Sequence, residues 1–377
     1  MPGLSRITLP SEFQDVADTR LLMQPEPGYF WARLAAVAQE GAELMRSMSP
    51  LGPNESRKLM TQGAEVPDFS SMQLDLDPEA LASLAQYSSA LVTDFFKGVA
   101  PKQVVNINRP VFADTTYTEA SRDVTRATIS STTQQVSGEQ VSITIRQFSG
   151  PYNNAGSAVQ PYGIEGFDAR YSLHDFSQLI DFHLARDRKK FLDRVIGLRF
   201  VQGAPTTNYV YPQDPNGTLA SDDTAFLTQG DRTCDVPAVN RATRKLKELG
   251  IPTFPNGRYM GVLTTKQTED LRNSQSFQRL VRYFPQKNPI FAAYIGTIGE
   301  CDLFESTTNP TATANSTITV QQGVFFGPGA VAYAVADPCH VECDDNTNFG
   351  RRVGVIWLAD EGFETIDNRF LVSLRSD

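Results

Sequence analysis

Two strand-like segments near the middle of the chain, one of them polar on both faces, most restrict the folds open to this sequence. Residues 140–148 (QVSITIRQF) alternate apolar Val141, Ile143 and Ile145 with polar residues, and residues 127–136 (ATISSTTQQV) precede them across a short gap containing glycine. This spacing predicts a long β-hairpin. A strand in a central sheet buries an apolar face, and residues 127–136 have none. We therefore expect the hairpin to leave the domain body and to lie on another surface.

A long amphipathic segment, residues 172–199, follows the hairpin. Ser172 can cap a helix there, and Asp175, three positions later, is close to a capping box. Apolar residues recur at helical spacing, namely Leu173, Phe176, Ile180, Leu184, Phe191, Val195 and Leu198. Charged residues fill most of the other positions. The pattern predicts a spine-like helix with one buried stripe and one charged face.

The remaining elements are shorter and lie on both sides of this pair. Two helical segments are expected near the N-terminus, at 28–48 and 77–96, joined by a Gly/Pro/Asn/Ser loop. After a loop-rich stretch the chain alternates helices and strands, predicted at 236–249, 258–265, 266–284, 317–326, 331–335 and 353–358, with a terminal strand in 368–377. Together these elements predict an α+β fold.

Charge and hydropathy exclude several classes of protein. The net charge is −9, and the first hundred of the 377 residues hold seven basic and thirteen acidic residues. Tight binding to nucleic acid needs a basic face, so sequence-specific nucleic-acid binding is not expected. No basic start followed by an apolar run marks a signal peptide, and no stretch approaches the roughly 20 apolar residues of a membrane span. We expect a protein made in a cytosol that binds no membrane.

Three patterns in the sequence could mark a catalytic site, a calcium site or a nucleic-acid-binding helix. His174 and His183 lie on the predicted long helix near aspartates, but no G-x-S-x-G turn accompanies them. Asp214-Pro215-Asn216-Gly217 lacks the ordered ligands and closing Glu of a calcium loop, so a polar turn explains it better. The helix at 236–249 carries four basic residues without interleaved aromatic residues, which favours a solvated or subunit-facing helix.

The cysteines raise the question of a metal site. Cys339, His340 and Cys343 could supply three zinc ligands and Cys301 a fourth, but the spacing is not C-x-x-C and no second pair follows. We expect all four cysteines, Cys234 included, to be free thiols, and we expect no metal, no cofactor and no catalytic residues.

The order of these parts resembles the major capsid proteins of tailed bacteriophages with the Hong Kong 97-type (Johnson) fold. Short stretches of sequence also resemble the axial domain of that family. They are the helix 236–249, Gly250-Ile251-Pro252, Asn256-Gly257-Arg258-Tyr259, Leu263 with Gln267 and Asp270-Leu271, and Ile295-Gly296-Thr297-Ile298-Gly299 followed by Phe304-Glu305-Ser306-Thr307. The resemblance covers about residues 100–377.

The resemblance implies four regions. They are an N-terminal arm with helices at 1–102, an extended β-hairpin loop at 103–168, a peripheral domain with the spine helix at 169–212 and 366–377, and an axial α/β domain at 213–365. It also implies a subunit that assembles into pentamers and hexamers of an icosahedral head enclosing the DNA genome. Scaffolding, portal and decoration proteins are then further partners, assembly takes place in the host cytoplasm, and the final location is the virion capsid.

Residues for subunit contacts come from the hairpin loop and the charged face of the long helix. The candidates are Arg122, Arg126, Glu139, Arg146, Arg186, Arg188 and Lys190. Some members of the family join a loop lysine to an asparagine of a neighbouring subunit. This chain has no lysine between Lys102 and Lys189, so we expect noncovalent contacts only.

Two other classes of function stay open from sequence alone. One is an intracellular α/β enzyme or ligand-binding protein that uses residues 204–365. The other is a minor component of the virion, such as a portal or tail protein.

Overall fold

The described part of the chain is a mixed α+β structure with four α-helices after residue 175 and a helical segment near the N-terminus. The computed structural model describes seven residues between 30 and 39, and then residues 87–96, 99–110, 138–150, 162–165, 176–226, 232–283, 294–315, 317–347 and 352–377. The helices are α1 (Phe176–Gly203), α2 (Val236–Glu248), α3 (Thr265–Asn273) and α4 (Gln275–Tyr283).

The strands number fourteen in the part of the chain that the structure describes. They are β1 (Leu91–Phe95), β2 (Val104–Pro110), β3 (Gly138–Thr144), β4 (Arg146–Gly150), β5 (Tyr162–Glu165), β6 (Tyr209–Val210), β7 (Tyr259–Thr264), β8 (Tyr294–Ile298), β9 (Cys301–Ser306), β10 (Thr311–Ala314), β11 (Ile318–Phe326), β12 (Val331–Thr347), β13 (Arg352–Thr365) and β14 (Leu371–Ser376).

One sheet has seven strands in the order β6-β14-β11-β7-β9-β8, with β10 also paired to β11. Strand β7 shows how the sheet is covered, because side chains alternate between the two faces of a strand. Tyr259 and Leu263 belong to the core formed with α2 and α3, whereas Met260 and Val262 belong to the core that contains Phe200 of α1. The sheet therefore lies between a layer of short helices and the C-terminal half of α1.

The second sheet has five strands in the order β1-β12-β13-β4, and β5 also pairs with β13. Strands β12 and β13 form a long antiparallel hairpin with register shifts around Asp337. Strands β4 and β5 follow one another along the outer edge of β13. Trp357 and Val355 of β13 pack on Leu184 and Ala185 of α1. Helix α1 thus contacts both sheets, one with each half of its length.

The strands β2 and β3 form a separate antiparallel pair, from Val104 opposite Thr144 to Pro110 opposite Gly138. Their buried side chains, Val105, Ile107, Ile143 and Ile145, pack on Ala332 and Ala334 of β12. Neighbouring Val331 and Tyr333 point to the opposite face, into the core with α1. The base of the loop therefore covers the face of the five-stranded sheet that α1 leaves open.

The predicted hairpin needs correction in one of its two strands. Residues 127–136 lie outside the described residues. Residues 140–148 do form strand, but the strand is divided, because β3 pairs with β2 while β4 joins the five-stranded sheet beside β13. The alternation of Val141, Ile143 and Ile145 is confirmed as strand; its described partner is β2, and pairing with residues 127–136 stays a prediction.

The helix predicted at 77–96 is wrong over its second half. Ser88–Ala90 is a single 3-10 turn, and Leu91–Phe95 is β1, parallel to the start of β12. Residues 77–86 lie outside the described part. A pairing partner 240 residues away decides the outcome, and local propensity does not include such a partner.

The C-terminal strands lie in both sheets. Strands β12 and β13 pack on the N-terminal half of α1, and terminal strand β14 pairs with β11 and β6 in the seven-stranded sheet. Leu371 of β14 shares a core with the C-terminal half of α1. The division into peripheral and axial domains stays an expectation from the sequence.

Several predictions are confirmed closely. Helix α2 begins after the cap residue Asp235, whose carboxylate accepts a bond from the Ala238 N–H, and Gly250 with φ +68° ends it. The segment 266–284 is helical but divided at Ser274 into α3 and α4. In the region 28–48, the seven described residues are all helical. Among the described residues, no helix is both long and apolar enough to cross a membrane.

Candidate subunit-interface residues

The exposed face of α1 is the clearest charged surface among the interface candidates. Arg186 and Lys190 are exposed, and His183 and Arg194 lie on the same face of the helix. Residues spaced by three and four positions are neighbours on a helix surface. Three of these four side chains are basic, so the face can bind an acidic surface of another chain.

Arg188 is a correction, because its side chain is fully buried instead of exposed at a subunit contact. Its guanidinium forms an ion pair with Glu361 of β13, which is also fully buried, and its Cζ lies 5.0 Å from the centroid of the Trp357 ring. Tyr333 of β12 donates a hydrogen bond of 2.7 Å to the same Glu361 carboxylate. The buried face of α1 therefore differs from the predicted apolar stripe, because it also includes a charged residue whose partner lies in β13.

The buried cluster shifts the pKa of Arg188 and of Tyr333. Burial by itself lowers the pKa of Arg188, but the Glu361 carboxylate together with Cys339 and Tyr333 raises it above its ordinary value. Burial, followed by the charge of Glu361, raises the pKa of Tyr333. Arg188 therefore stays charged and Tyr333 stays neutral at neutral pH. A buried pair of this kind mainly specifies which parts of the chain meet, and its net contribution to stability is small.

A second buried carboxylate, Asp193 of α1, holds the helical residues near Trp31. Its Oδ1 accepts hydrogen bonds from the backbone N–H groups of Trp31, at 2.7 Å, and Ala32, at 3.3 Å, and its Oδ2 accepts one from the Thr308 hydroxyl. The Trp31 indole donates to Asn309 at 3.0 Å. These bonds tie the helical segment at Trp31 to α1 and to the residues after β9.

The ring of Trp31 fills the space between α1 and the seven-stranded sheet. It stacks on Phe200, with 4.6 Å between the ring centroids, and lies 5.9 Å from the ring of Phe326. Gly197 of α1 allows the approach, because a Cβ at this position would lie 2.9 Å from the indole Nε1. The residues around Trp31 are therefore an integral part of the core.

A third polar cluster surrounds Asp302 of β9. Tyr87 and Thr297 donate to its carboxylate, as do Arg258, at 3.0 Å, and Asn256, at 3.3 Å. Burial, followed by the hydrogen bond to Asp302, raises the pKa of Tyr87. Both carboxylate oxygens are occupied by donors from the chain. The cluster connects the segment before β1 to the seven-stranded sheet.

The candidates on the hairpin loop are only partly placed. Arg122 and Arg126 lie outside the described residues. Glu139 is in β3, opposite Arg109 of β2, and Arg146 is exposed at the start of β4, opposite Glu361. No described contact joins Arg146 to Arg186 or Lys190 of α1.

Two of the candidate zinc ligands, Cys339 and Cys301, lie in different cores. Cys339 belongs to the core between α1 and β13, whereas Cys301 belongs to the core between α2 and the seven-stranded sheet. Cys234, Cys301 and Cys339 are buried free thiols. No group of three or more metal-binding side chains occurs within the described ranges. At the turn after β6, the Asp214 Oδ1 accepts bonds from the Asn216 and Thr218 N–H groups, as the polar-turn interpretation requires.

Sequence reasoning did not find the three buried carboxylates that connect elements inside the subunit, namely Asp193, Asp302 and Glu361. Glu361 and Asp302 are acidic residues in strands whose neighbours are largely apolar, for example Asp302 in Cys-Asp-Leu-Phe. A charged residue inside such a strand needs a buried partner. The acidic residues within these strands could have been noticed in the sequence, but the sequence does not show which side chains pair with them.

Comparison of the sequence with known proteins gives no match to any family model and no match to a curated protein. The fold, in contrast, is found among solved structures. The capsid of Ralstonia phage GP4 has a TM-score of 0.54 at 14% identity, over 77% of this chain and 90% of that chain.

Two further structures agree with that match. The capsid asymmetric unit of cyanophage Pam1 has a TM-score of 0.54 at 11% identity, over 77% and 91% of the two chains. The head structure of Helicobacter pylori bacteriophage KHP40 has a TM-score of 0.51 at 12% identity, over 77% and 88%. The resemblance to tailed-phage major capsid proteins is therefore confirmed at the level of the fold.

Proposed function

We propose that this chain is the major capsid protein of a tailed bacteriophage, with the Hong Kong 97-type arrangement of arm, loop, peripheral and axial regions. The single observation that carries the proposal is the fold. It matches phage capsid and head proteins over about nine-tenths of their length, so the likeness extends beyond a shared sheet or helix pair. In this role the chain self-assembles into pentamers and hexamers of an icosahedral head around the DNA genome.

The loop between β2 and β3 supports assembly through neighbouring subunits. The two strands of its base are anchored on β12 by four buried apolar side chains, and 27 residues lie between Pro110 and Gly138. Residues 127–136 have no apolar face with which to cover this chain's own core. A two-stranded ribbon is marginally stable in isolation, so it gains stability by packing on another copy.

The charge distribution supports a shell subunit as well. The chain is acidic overall, so it does not bind the packaged genome tightly. Several of its exposed basic residues lie on α1, where they can pair with acidic surfaces of neighbouring copies. Such pairs set the register and orientation of an interface more than its affinity.

In this role the protein is structural and needs no catalytic residue, metal or cofactor. It assembles in the host cytoplasm and ends in the virion capsid, where scaffolding, portal and decoration proteins are further partners. The absence of lysine between Lys102 and Lys189 leaves the loop without an amine nucleophile, since arginine stays protonated. The shell is therefore held by noncovalent contacts.

Size-exclusion chromatography followed by negative-stain electron microscopy of the purified full-length chain tests the proposal. We expect a monomer or small oligomers in equilibrium with closed, hollow shells. Rings of a fixed copy number would instead indicate a portal or tail component. A stable monomer that binds a small molecule would indicate an enzyme or ligand-binding protein, and either result would overturn the proposal.

A further inference from the structure

The loop after β6 forms a rigid turn, which we call the knuckle (residues 212–223). The Asp214 Oδ1 accepts hydrogen bonds from Asn216 N, at 3.0 Å, and Thr218 N, at 2.6 Å. The guanidinium of buried Arg232 donates to the carbonyl oxygens of Pro212, at 3.1 Å, and Thr218, at 2.9 Å. The shape of the knuckle is therefore fixed from both its inner and its outer side.

The knuckle holds Leu219 in solvent. Three large apolar side chains are exposed among the described residues, and two of them are Leu219, 51% exposed, and Leu249 at the end of α2, 38% exposed. A single exposed leucine needs no special explanation. These two leucines are of interest because the charged side chains around Leu219 are opposite in sign to most of those around Leu249.

The knuckle is acidic, whereas the end of α2 is basic. The knuckle contains Asp214, Asp222 and Asp223 and no lysine or arginine of its own. Asp214 lies 4.0 Å from Arg232 and Asp223 pairs with Arg375, which leaves Asp222 without an ion-pair partner in the described chain. From its middle onward, α2 contains four basic residues and one acid, namely Arg241, Arg244, Lys245, Lys247 and Glu248. Leu219 therefore lies three residues from an unpaired carboxylate, and Leu249 lies beside an excess of basic side chains.

Part of the basic charge at the end of α2 has no partner in the described chain. Arg244 pairs with Glu248 at 3.2 Å, and Lys247 pairs with Glu300 at 2.7 Å. Lys245 has no carboxylate within ion-pair distance in the described part of the chain. A carboxylate from outside the subunit would therefore find an unpaired ammonium group at this end of α2.

The two surfaces lie at opposite ends of the same helix and cannot meet within one subunit. Arg232, which binds the knuckle, lies three residues before Asp235, the N-cap of α2. Leu249 is at the other end, about 20 Å away for a helix of 13 residues. Two different, complementary surfaces on one subunit form a head-to-tail contact, which closes into a ring when the rotation allows it.

We propose that the acidic knuckle of one copy docks on the basic end of α2 of the next copy, with Leu219 and Leu249 in contact. The proposal rests on the proposed function, and it names the surfaces by which pentamers and hexamers close. It commits to a second copy of this chain because both halves of a complementary contact are present on one subunit.

The test is a disulfide between the two leucine positions. Full-length chain with Leu219→Cys and Leu249→Cys together is assembled, mildly oxidised and separated in denaturing gels without reductant. We expect a ladder of covalent multimers that ends at five and six copies and disappears with reductant. The matched controls are the two single variants, which should stay monomeric, since each lacks the complementary thiol.

Each other outcome overturns the inference. Closed shells of the double variant without multimers would show that the two positions are not in contact, and the proposed function would stand. Dimers of Leu219→Cys alone would indicate a two-fold contact of the knuckle with itself. If the wild-type chain forms neither shells nor rings of five and six, the proposed function fails together with this inference.

A second measurement keeps the proposal testable if the double variant does not fold. Leu219 lies on an exposed turn, so the single variant Leu219→Ser should fold normally as measured by circular dichroism. We expect it to raise the subunit concentration needed for assembly about tenfold or more, as the loss of one buried leucine side chain per contact implies. An unchanged threshold concentration would contradict the contact.

Discussion

Arg188 and Glu361 show how a charged residue can be required inside the subunit. Their ion pair is fully enclosed, and Tyr333 completes it from a second strand. Removing one member would leave the other charge buried without a partner. We expect Arg188→Met to lower the free energy of unfolding of the unassembled subunit by about 3–5 kcal/mol, as measured by denaturant titration.

The matched control for this variant is Arg186→Met, two positions away on the exposed face of α1. Exposed sites away from special features usually change stability by about 0.5 kcal/mol or less. Equal losses in the two variants would show that the Arg188 pair is not the cause. The double variant Arg188→Met/Glu361→Met should lose less than the sum of its single variants, because it removes both charges.

Trp31 is the second residue whose role depends on distant partners. It stacks on Phe200 and donates to Asn309, and Asp193 binds the backbone beside it. We expect Trp31→Ala to lower the free energy of unfolding by about 3–5 kcal/mol, as for other buried aromatic residues. Val104→Ala, at an exposed position, is the control. A cost for Trp31→Ala as small as that of the control would mean that this segment is not part of the stable core.

Helix α1 is the element on which the account of subunit contacts depends. A reversal of charge on its exposed face should act on assembly and not on folding, because exposed ion pairs each contribute little to stability. We expect Arg186→Glu/Lys190→Glu to keep the melting temperature of the subunit and to lower the yield of particles in sedimentation at least tenfold. The charge-preserving variant Arg186→Lys/Lys190→Arg should assemble normally. Normal assembly of the reversed variant would remove this face from the interface.

The loop between β2 and β3 is the other element with a direct test. Strand β4 belongs to the five-stranded sheet, so a deletion must spare it. Replacing residues 113–135 with a short Asn-Gly turn keeps both strands of the loop's base. We expect a folded subunit with unchanged circular dichroism that forms no closed shells under electron microscopy. Closed shells of normal size would show that the loop is not needed between subunits.

At the element level, the sequence predicts those features that have a local cause. Helix α2 has its cap at Asp235 and its terminal Gly250, and β7 follows with its alternating faces, so both were predicted nearly to the residue. Elements that need a distant partner were predicted poorly. Strand β1 exists because β12 offers it a parallel edge, and β12 continues past Val335 because β13 pairs with its polar half.

The same distinction holds for the candidate interface. The charged face of α1 was predicted from residue type and spacing, and Arg186 and Lys190 are indeed exposed. Arg188 was placed with them because residue type alone assigns arginine to the surface. The partner that takes it into the core, Glu361, lies 173 residues away, and no pattern within α1 records it.

At the scale of the whole molecule, the account predicts a shell without covalent links. Particles boiled in detergent and reductant should give a single band at the mass of one subunit, because no lysine lies between Lys102 and Lys189. As a control, brief treatment of the same particles with an amine-reactive cross-linker of surface lysines should give multimers. A ladder in the untreated sample would contradict the prediction of noncovalent contacts.

The central claim is that this chain builds an icosahedral head, and cryo-electron microscopy of its purified particles tests it most directly. The account predicts closed shells made of rings of five and six copies, in which each subunit density fits α1 between the two sheets and the loop after β2 extends onto a neighbouring copy. Particles with a single rotational axis, or subunits that stay monomeric at every concentration, would contradict it.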